Sequence, residues 1–262
     1  MTGSEIKKLL TLGVIGVAAA VFAIWIGANL WRAYYLKEGR NAFNRGEYEA
    51  AGLLFNRSLL PWTKNPEAHF YLGKIALGKP NLDPKQGEDF YPWANYAVAA
   101  AHYQQSLSGG LKSTNNDLYG QGLNDLSFSL WMLERFMEAD EYFLRYIAEF
   151  PEKSFTARYL LAHDYFFLFA KPREALGILK PALKLATLGI HFRNLYKINT
   201  LLDQLYVYFD DYENAAEQAH LIIESKNLAT NESLRVAHIT LIYAYMKNGD
   251  FVAAKMETLE AN

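Results

Sequence analysis

The sequence predicts an all-α protein: one N-terminal transmembrane helix followed by an α-solenoid of about five to six helical hairpins. Three observations carry the prediction. Leu9 to Trp31 contains no charged residue. From Arg32 onward apolar residues recur at helical spacing, without the alternation of a strand. Small and large side chains also repeat along the chain with a period of about 34 residues, the mark of stacked helical pairs.

Composition sets the outer bounds. The 262 residues are 51% hydrophobic and 15% aromatic, ample for a continuous core. A net charge of −2 and a pI near 6.3 argue against a broad nucleic-acid-binding surface. The absence of cysteine excludes disulfides, thiolate metal sites and cysteine nucleophiles. The six histidines form no tight cluster with Asp or Glu, so neither a metal nor a cofactor is expected.

The first elements are a short tail, residues 1–8, and a membrane span, residues 9–31. At helical rise the span covers roughly 35 Å, enough for a hydrocarbon core of about 30 Å. Lys7 and Lys8 flank one end, and Trp25, Trp31, Tyr34 and Tyr35 crowd the other, where amphipathic rings favour the membrane interface. A cleaved signal peptide is the rival reading, with small residues at Ala18, Ala19 and Ala20. The apolar run continues well past them, which favours an uncleaved single-pass anchor. Positive charge is nearly balanced across the span. The missing cysteines tip the expectation towards repeats on the extracytoplasmic side, periplasmic in a bacterium.

The stretch from Gly39 to Phe55 is the template for most of the remaining chain. It reads as two helices joined by a tight turn at Asn44–Glu47, with Gly46 suited to the left-handed position that ends the first helix. Gly39 admits a close neighbour, Ala51 and Phe55 stack four apart, and Tyr48 packs back over the turn. The second unit begins at Pro66 with Leu72 and Gly73, and its second helix resumes with Ala99, Tyr103 and Ser106 after an insertion at 78–92. The third has Leu126 and Leu130, then Ala139, Phe143 and Tyr146, stopped by Pro151. The fourth has Tyr159 and Phe166, then Ala175, Leu179 and Ala182. The fifth has Leu202 and Tyr206, then Tyr212, Ala215, Ala219 and Ile222. The sixth has Leu241 and Tyr245, then Gly249, Phe251 and Ala254.

The pattern resembles the tetratricopeptide repeat (TPR) family across nearly all of residues 32–262. The resemblance is strongest at Gly39…Gly46-Glu47-Tyr48…Ala51…Phe55, at Phe136…Ala139…Phe143…Pro151 and at Tyr245…Gly249-Asp250-Phe251…Ala254. The small residue of the first helix is glycine at Gly39 and Gly73, whereas Ser127, His163, Asp203 and Ile242 take its place elsewhere. The resemblance implies TPR-like hairpins whose first helices line a concave wall. It puts Arg40, Phe43, Asn44, Lys74, Phe128, Trp131, Asp164, Phe167, Gln204, Tyr208 and Tyr243 on that wall as a partner-binding groove, along with Val207 and Met246. The set mixes aromatic and polar residues with few like charges, which suits an extended peptide or a partner helix.

The best internal break is Gly109–Asn116, a run of loop residues. It separates an N-terminal pair of hairpins, residues 32–108, from a C-terminal array, residues 117–262. Asp83, Glu88 and Asp89 of the insertion lack the spacing of a calcium loop.

Motifs for chemistry are missing. Gly120-Gln121-Gly122 lacks the third glycine and the strand of a phosphate loop, and no nucleophile elbow occurs. Glu134, Glu138 and Glu141 read as a solvated face paired with Arg135 and Arg145. The expectation is a binding protein rather than an enzyme: a membrane-anchored scaffold or adaptor that holds a partner protein, or a subunit of a membrane assembly. The lipid bilayer is met through residues 9–31, with no nucleic acid and no small-molecule substrate. The alternative is an envelope chaperone-like module for exported or unfolded segments.

Overall fold

The computed structural model describes residues 3–59, 64–78, 94–187 and 195–261, with side chains from residue 12 onward except at 186 and 187. Among the described residues there is no strand. The chain forms two compact units, residues 1–139 and 140–262. Most of the insertion at 78–92 lies outside the described residues, as do the side chains of Lys7 and Lys8.

The first unit starts with α1 (Gly3–Asn44), a single helix of 42 residues. No proline interrupts Trp31–Asn44, so the apolar stretch and the first helix of the first hairpin form one rod. From Leu12 onward this helix is long and apolar enough to cross a membrane, and none of its apolar window is buried in the protein. Then follow α2 (Tyr48–Ser58), α3 (Pro66–Ala76), α4 (Tyr96–Ser108), α5 (Leu111–Thr114) and α6 (Asn116–Met132). Successive helices from α1 to α4 pack on one another, and α6 packs on α3, α4 and α5. Ala42, Ala51, Phe55, Ala68 and Leu72 form the first core cluster. Asn65, Asn95 and Asn115 cap α3, α4 and α6 through their side chains. The stretch 109–116 holds the short α5, whose Leu111 is fully buried. The buried Asp125 accepts from Tyr103 Oη at 3.0 Å and pairs with Lys74 Nζ at 2.6 Å.

α7 (Phe136–Glu149) leads into the second unit, and a 3-10 turn at Pro151–Lys153 follows it. Then come α8 (Phe155–Phe167), α9 (Pro172–Thr187), α10 (Leu195–Tyr208), α11 (Tyr212–Glu224), α12 (Asn231–Lys247) and α13 (Phe251–Glu260). From α8 on each helix packs on the next, and α10 also packs on α8 and α12. Neighbour and next-but-one contacts of this kind define stacked hairpins. Phe155, Leu179, Ile198 and Leu202 belong to one core cluster; Ala219, Ile222, Ala237 and Leu241 form another.

The turns carry the repeat. Gly46, Glu134, Ala170, Asp210 and Gly249 all adopt left-handed backbone, with φ between +51° and +80°. At four of them the helix closes with the same two bonds, as in Glu47 N–H to Ala42 O at 2.9 Å and Gly46 N–H to Phe43 O at 3.0 Å. The fifth residue after each left-handed position is a buried alanine: Ala51, Ala139, Ala175, Ala215 and Ala254. The fourth unit departs. α8 ends three residues before Ala170, where the other helices end two residues before the left-handed position. That extra residue shifts the register by one. The close-packing position expected at His163 belongs to Ala162, which is fully buried, while His163 is half-buried.

Candidate partner-binding face

The first helices present the residues that the repeat spacing singles out, and each unit treats them differently. In the first unit, Arg40 Nη1 pairs with Glu67 at 3.0 Å. Phe43 is half-buried, edge-on to Tyr48 and Tyr71, so it belongs as much to the core as to a wall. Asn44 is exposed at the end of α1. Lys74 is held between Asp125 and the face of Phe70. Phe128 and Trp131 are half-buried and stacked at 6.4 Å, with Tyr96 against the first ring and Phe136 against the second.

The second unit has a more open surface. Phe167, Tyr208 and Tyr243 are 52%, 60% and 53% exposed on α8, α10 and α12. Soluble surfaces rarely leave large rings so accessible along successive elements, and such residues anchor partners well when covered. Phe166 supports Tyr208 edge-on at 5.8 Å. A pocket of about 330 Å³ opens beside Phe167, lined by Tyr159, His163, Phe167, Tyr196, Lys197, Thr200, Leu201, Gln204, Thr230 and Ser233. Its lining mixes rings with hydroxyls, an amide and one lysine, and no carboxylate belongs to it. Burial and the neighbouring Tyr196 push the Tyr159 phenol above its ordinary value, so it stays a neutral donor.

Gln204 and Phe167 therefore share this pocket, and Tyr208 and Tyr243 lie on the same set of first helices. Asp164 does not join them. Its side chain is fully buried, because the extra residue at the Ala170 turn hands the wall position to His163, whose ring packs 4.7 Å from Phe167. Tyr196, Thr200 and Gln204 recur every four residues along α10. That spacing is a signal for Tyr196 and Thr200 in the sequence, but a reading confined to positions just after the close-packing residue passes over them.

Among the described residues no group of three or more His, Asp or Glu side chains could hold a metal. The two carboxyls pushed upward lie in the interior. Burial pushes Asp203 up to about 7, countered in part by a bond from Thr240. Burial and the adjacent Asp164 push Asp140 up to about 7, with Lys171 pulling the other way.

Near the N-terminal end of the chain, Trp25, Trp31 and Tyr34 are exposed on α1. Tyr35 packs on Trp31 at 4.7 Å, and the Arg57 guanidinium lies 5.9 Å above its ring.

No protein-family model matches the chain, and no curated protein matches it. Solved structures do match. One comes from the functional characterization of Pseudomonas aeruginosa pilF: 19% identity, 89% of this chain and 91% of that chain, TM-score 0.55. BtubC from P. vanneervenii gives 18% identity over 89% of each chain and a TM-score of 0.53. MamA of MSR-1 gives 16% identity over 75% of this chain and 95% of that one, TM-score 0.52. These neighbours are TPR-containing proteins, and at such identities the likeness establishes a TPR-like helical fold.

Proposed function

We propose that this chain is a single-pass, membrane-anchored scaffold that binds a partner polypeptide along the first helices of its hairpins, as an adaptor or a subunit of a membrane-associated complex. The observation that carries the reading is the set of exposed rings Phe167, Tyr208 and Tyr243 on α8, α10 and α12, with Phe167 lining a pocket of polar hydrogen-bonding groups. An extended peptide or a helix brings both apolar side chains and polar backbone or side-chain groups, and this lining complements both. The residues we assign to binding in this unit are Phe167, Gln204, Tyr208, Tyr243 and His163. In the first unit Arg40, Asn44, Lys74, Phe128 and Trp131 remain candidates. The TPR-like fold supports a role in protein interaction.

Anchoring is supported by α1. Its apolar part is unburied and continues without a break into the first hairpin, so the bilayer would hold the repeats through a stiff rod. The role is binding, with no bond made or broken. Purification of the intact chain in mild detergent tests it. A stoichiometric protein should come with the native chain and be lost from F167S/Y208S/Y243S. Recovery of the native chain alone, or equal recovery of partner with the variant, contradicts the reading.

A further inference from the structure

The junction between the apolar rod and the first hairpin carries a second pattern. The α1–α2 hairpin folds back so that the end of α2 and the start of α3 stand beside Arg32–Tyr35. Arg57 lies over Tyr35, and Arg32 Nη1 donates to the Lys64 carbonyl at 3.1 Å. Arg57 and Lys64 are thereby gathered at the level of Arg32 and Tyr35 although distant from them in sequence, and Lys37 follows less than two turns further along the same helix. The ion pairs of this neighbourhood are Arg40 with Glu67 and Arg45 with Glu47. Among the described residues none of the four gathered cations has a carboxylate partner, and Lys37, Arg57 and Lys64 are exposed. Glu38 is the one acidic residue between Trp31 and Phe43, and it accepts from Asn41.

The level matters. Arg32 to Lys37 stand roughly 2–9 Å along the helix beyond Trp31, at helical rise. A headgroup layer is about 5–8 Å deep on each side of a bilayer. Resting on the membrane-anchored reading, we infer that Arg32, Lys37, Arg57 and Lys64 form a collar that binds the phosphates of anionic phospholipids. Trp31 and Tyr34 sit at its apolar edge, and the exposed Arg57 and Lys64 extend it outward from the rod. Unpaired cations held at headgroup depth attract anionic lipid, each contributing about a five-fold preference. The collar would bring the first hairpin against the membrane surface.

The test uses the full chain in mild detergent, with native mass spectrometry of retained lipid. Phosphatidylglycerol and phosphatidylcholine are offered in equal amounts. The expected result is at least roughly ten-fold greater retention of phosphatidylglycerol by the native chain, falling towards equality in K37Q/R57Q/K64Q. The charge-preserving K37R/R57K/K64R should keep the preference, which separates loss of charge from loss of shape. Equal retention by the native chain, a preference unchanged in the glutamine variant, or equal occupancy by free glycerol phosphate would each overturn the collar. Alkaline extraction of vesicles tests the anchor on which it rests: a chain released into the soluble fraction removes the anchor, whereas a retained chain without lipid preference removes the collar alone.

Discussion

The Phe55 ring fills the space beside Gly39: a Cβ on that glycine would stand 2.7 Å from Phe55 Cδ1 and Cε1. Phe55 is fully buried and stacked on Tyr71, so it has no room to retreat. Gly39→Ala should therefore destabilise the first unit by about 1–3 kcal/mol, even though alanine is the better helix former by about 1 kcal/mol. Chemical denaturation followed by circular dichroism checks it. A neutral or stabilising result would mean that the α1–α2 contact is looser than described.

The left-handed turn positions give the opposite sign. Glu134 and Ala170 adopt φ of +58° and +51°, where a Cβ is strained and glycine is not. Glu134→Gly and Ala170→Gly should each stabilise the chain by about 0.5–1 kcal/mol, read as a higher denaturation midpoint with an unchanged slope.

Much of this architecture can be read from the sequence. Gly46 and Gly249 mark their turns because glycine is cheap at positive φ, and the alanines five residues later mark the packed face. Tyr103, Leu130, Phe143, Leu179 and Ile222, singled out by spacing, are buried. Other features escape the sequence for local reasons. Glu134 and Ala170 adopt the same backbone as the glycines but carry no compositional signal of it, and Asp210 carries only a weak one. One extra residue before Ala170 moves the register, so Asp164, expected on the wall, lies in the core. The pocket lining depends on α8, α10 and α12 meeting, which no single stretch encodes. The unbroken continuation of the apolar helix into the first hairpin is legible as the absence of a breaker in 31–38, a weaker signal than the presence of one.

Buried carboxyls set the pH dependence. Asp203 is raised from an ordinary 3.8 to about 7 by burial, so the folded state binds a proton that the unfolded chain has already released. The unfolded state then holds fewer protons between about pH 4 and 7, and stability falls as pH rises through that window. Asp140 acts in the same direction. Burial lowers His69 to about 4 and lowers His102 as well, and these act the other way below about pH 6.5. The carboxyl effect is therefore read above that pH: the melting temperature of the intact chain should drop from about pH 6.5 to pH 8. Asp203→Asn, which keeps an oxygen for the Thr240 hydroxyl, should flatten that drop. A melting temperature that rises over this range would contradict the assignment.

The exposed rings should separate binding from folding. Phe167→Ser and Tyr243→Ser remove side chains that are about half exposed, so each should change stability by less than about 1 kcal/mol. Thermal melts of the two variants measure this, and a large loss would place the rings in the core instead of on a docking face.

The central claim is that a polypeptide lies against these first helices while α1 holds the chain in a bilayer. The most direct measurement places a photo-crosslinking amino acid at Tyr243, exposed on α12, and irradiates intact membranes. The account predicts one discrete protein adduct in the membrane fraction, absent when the crosslinker stands at the exposed Glu213 of α11. No adduct at Tyr243, or a chain found in the soluble fraction, would contradict it.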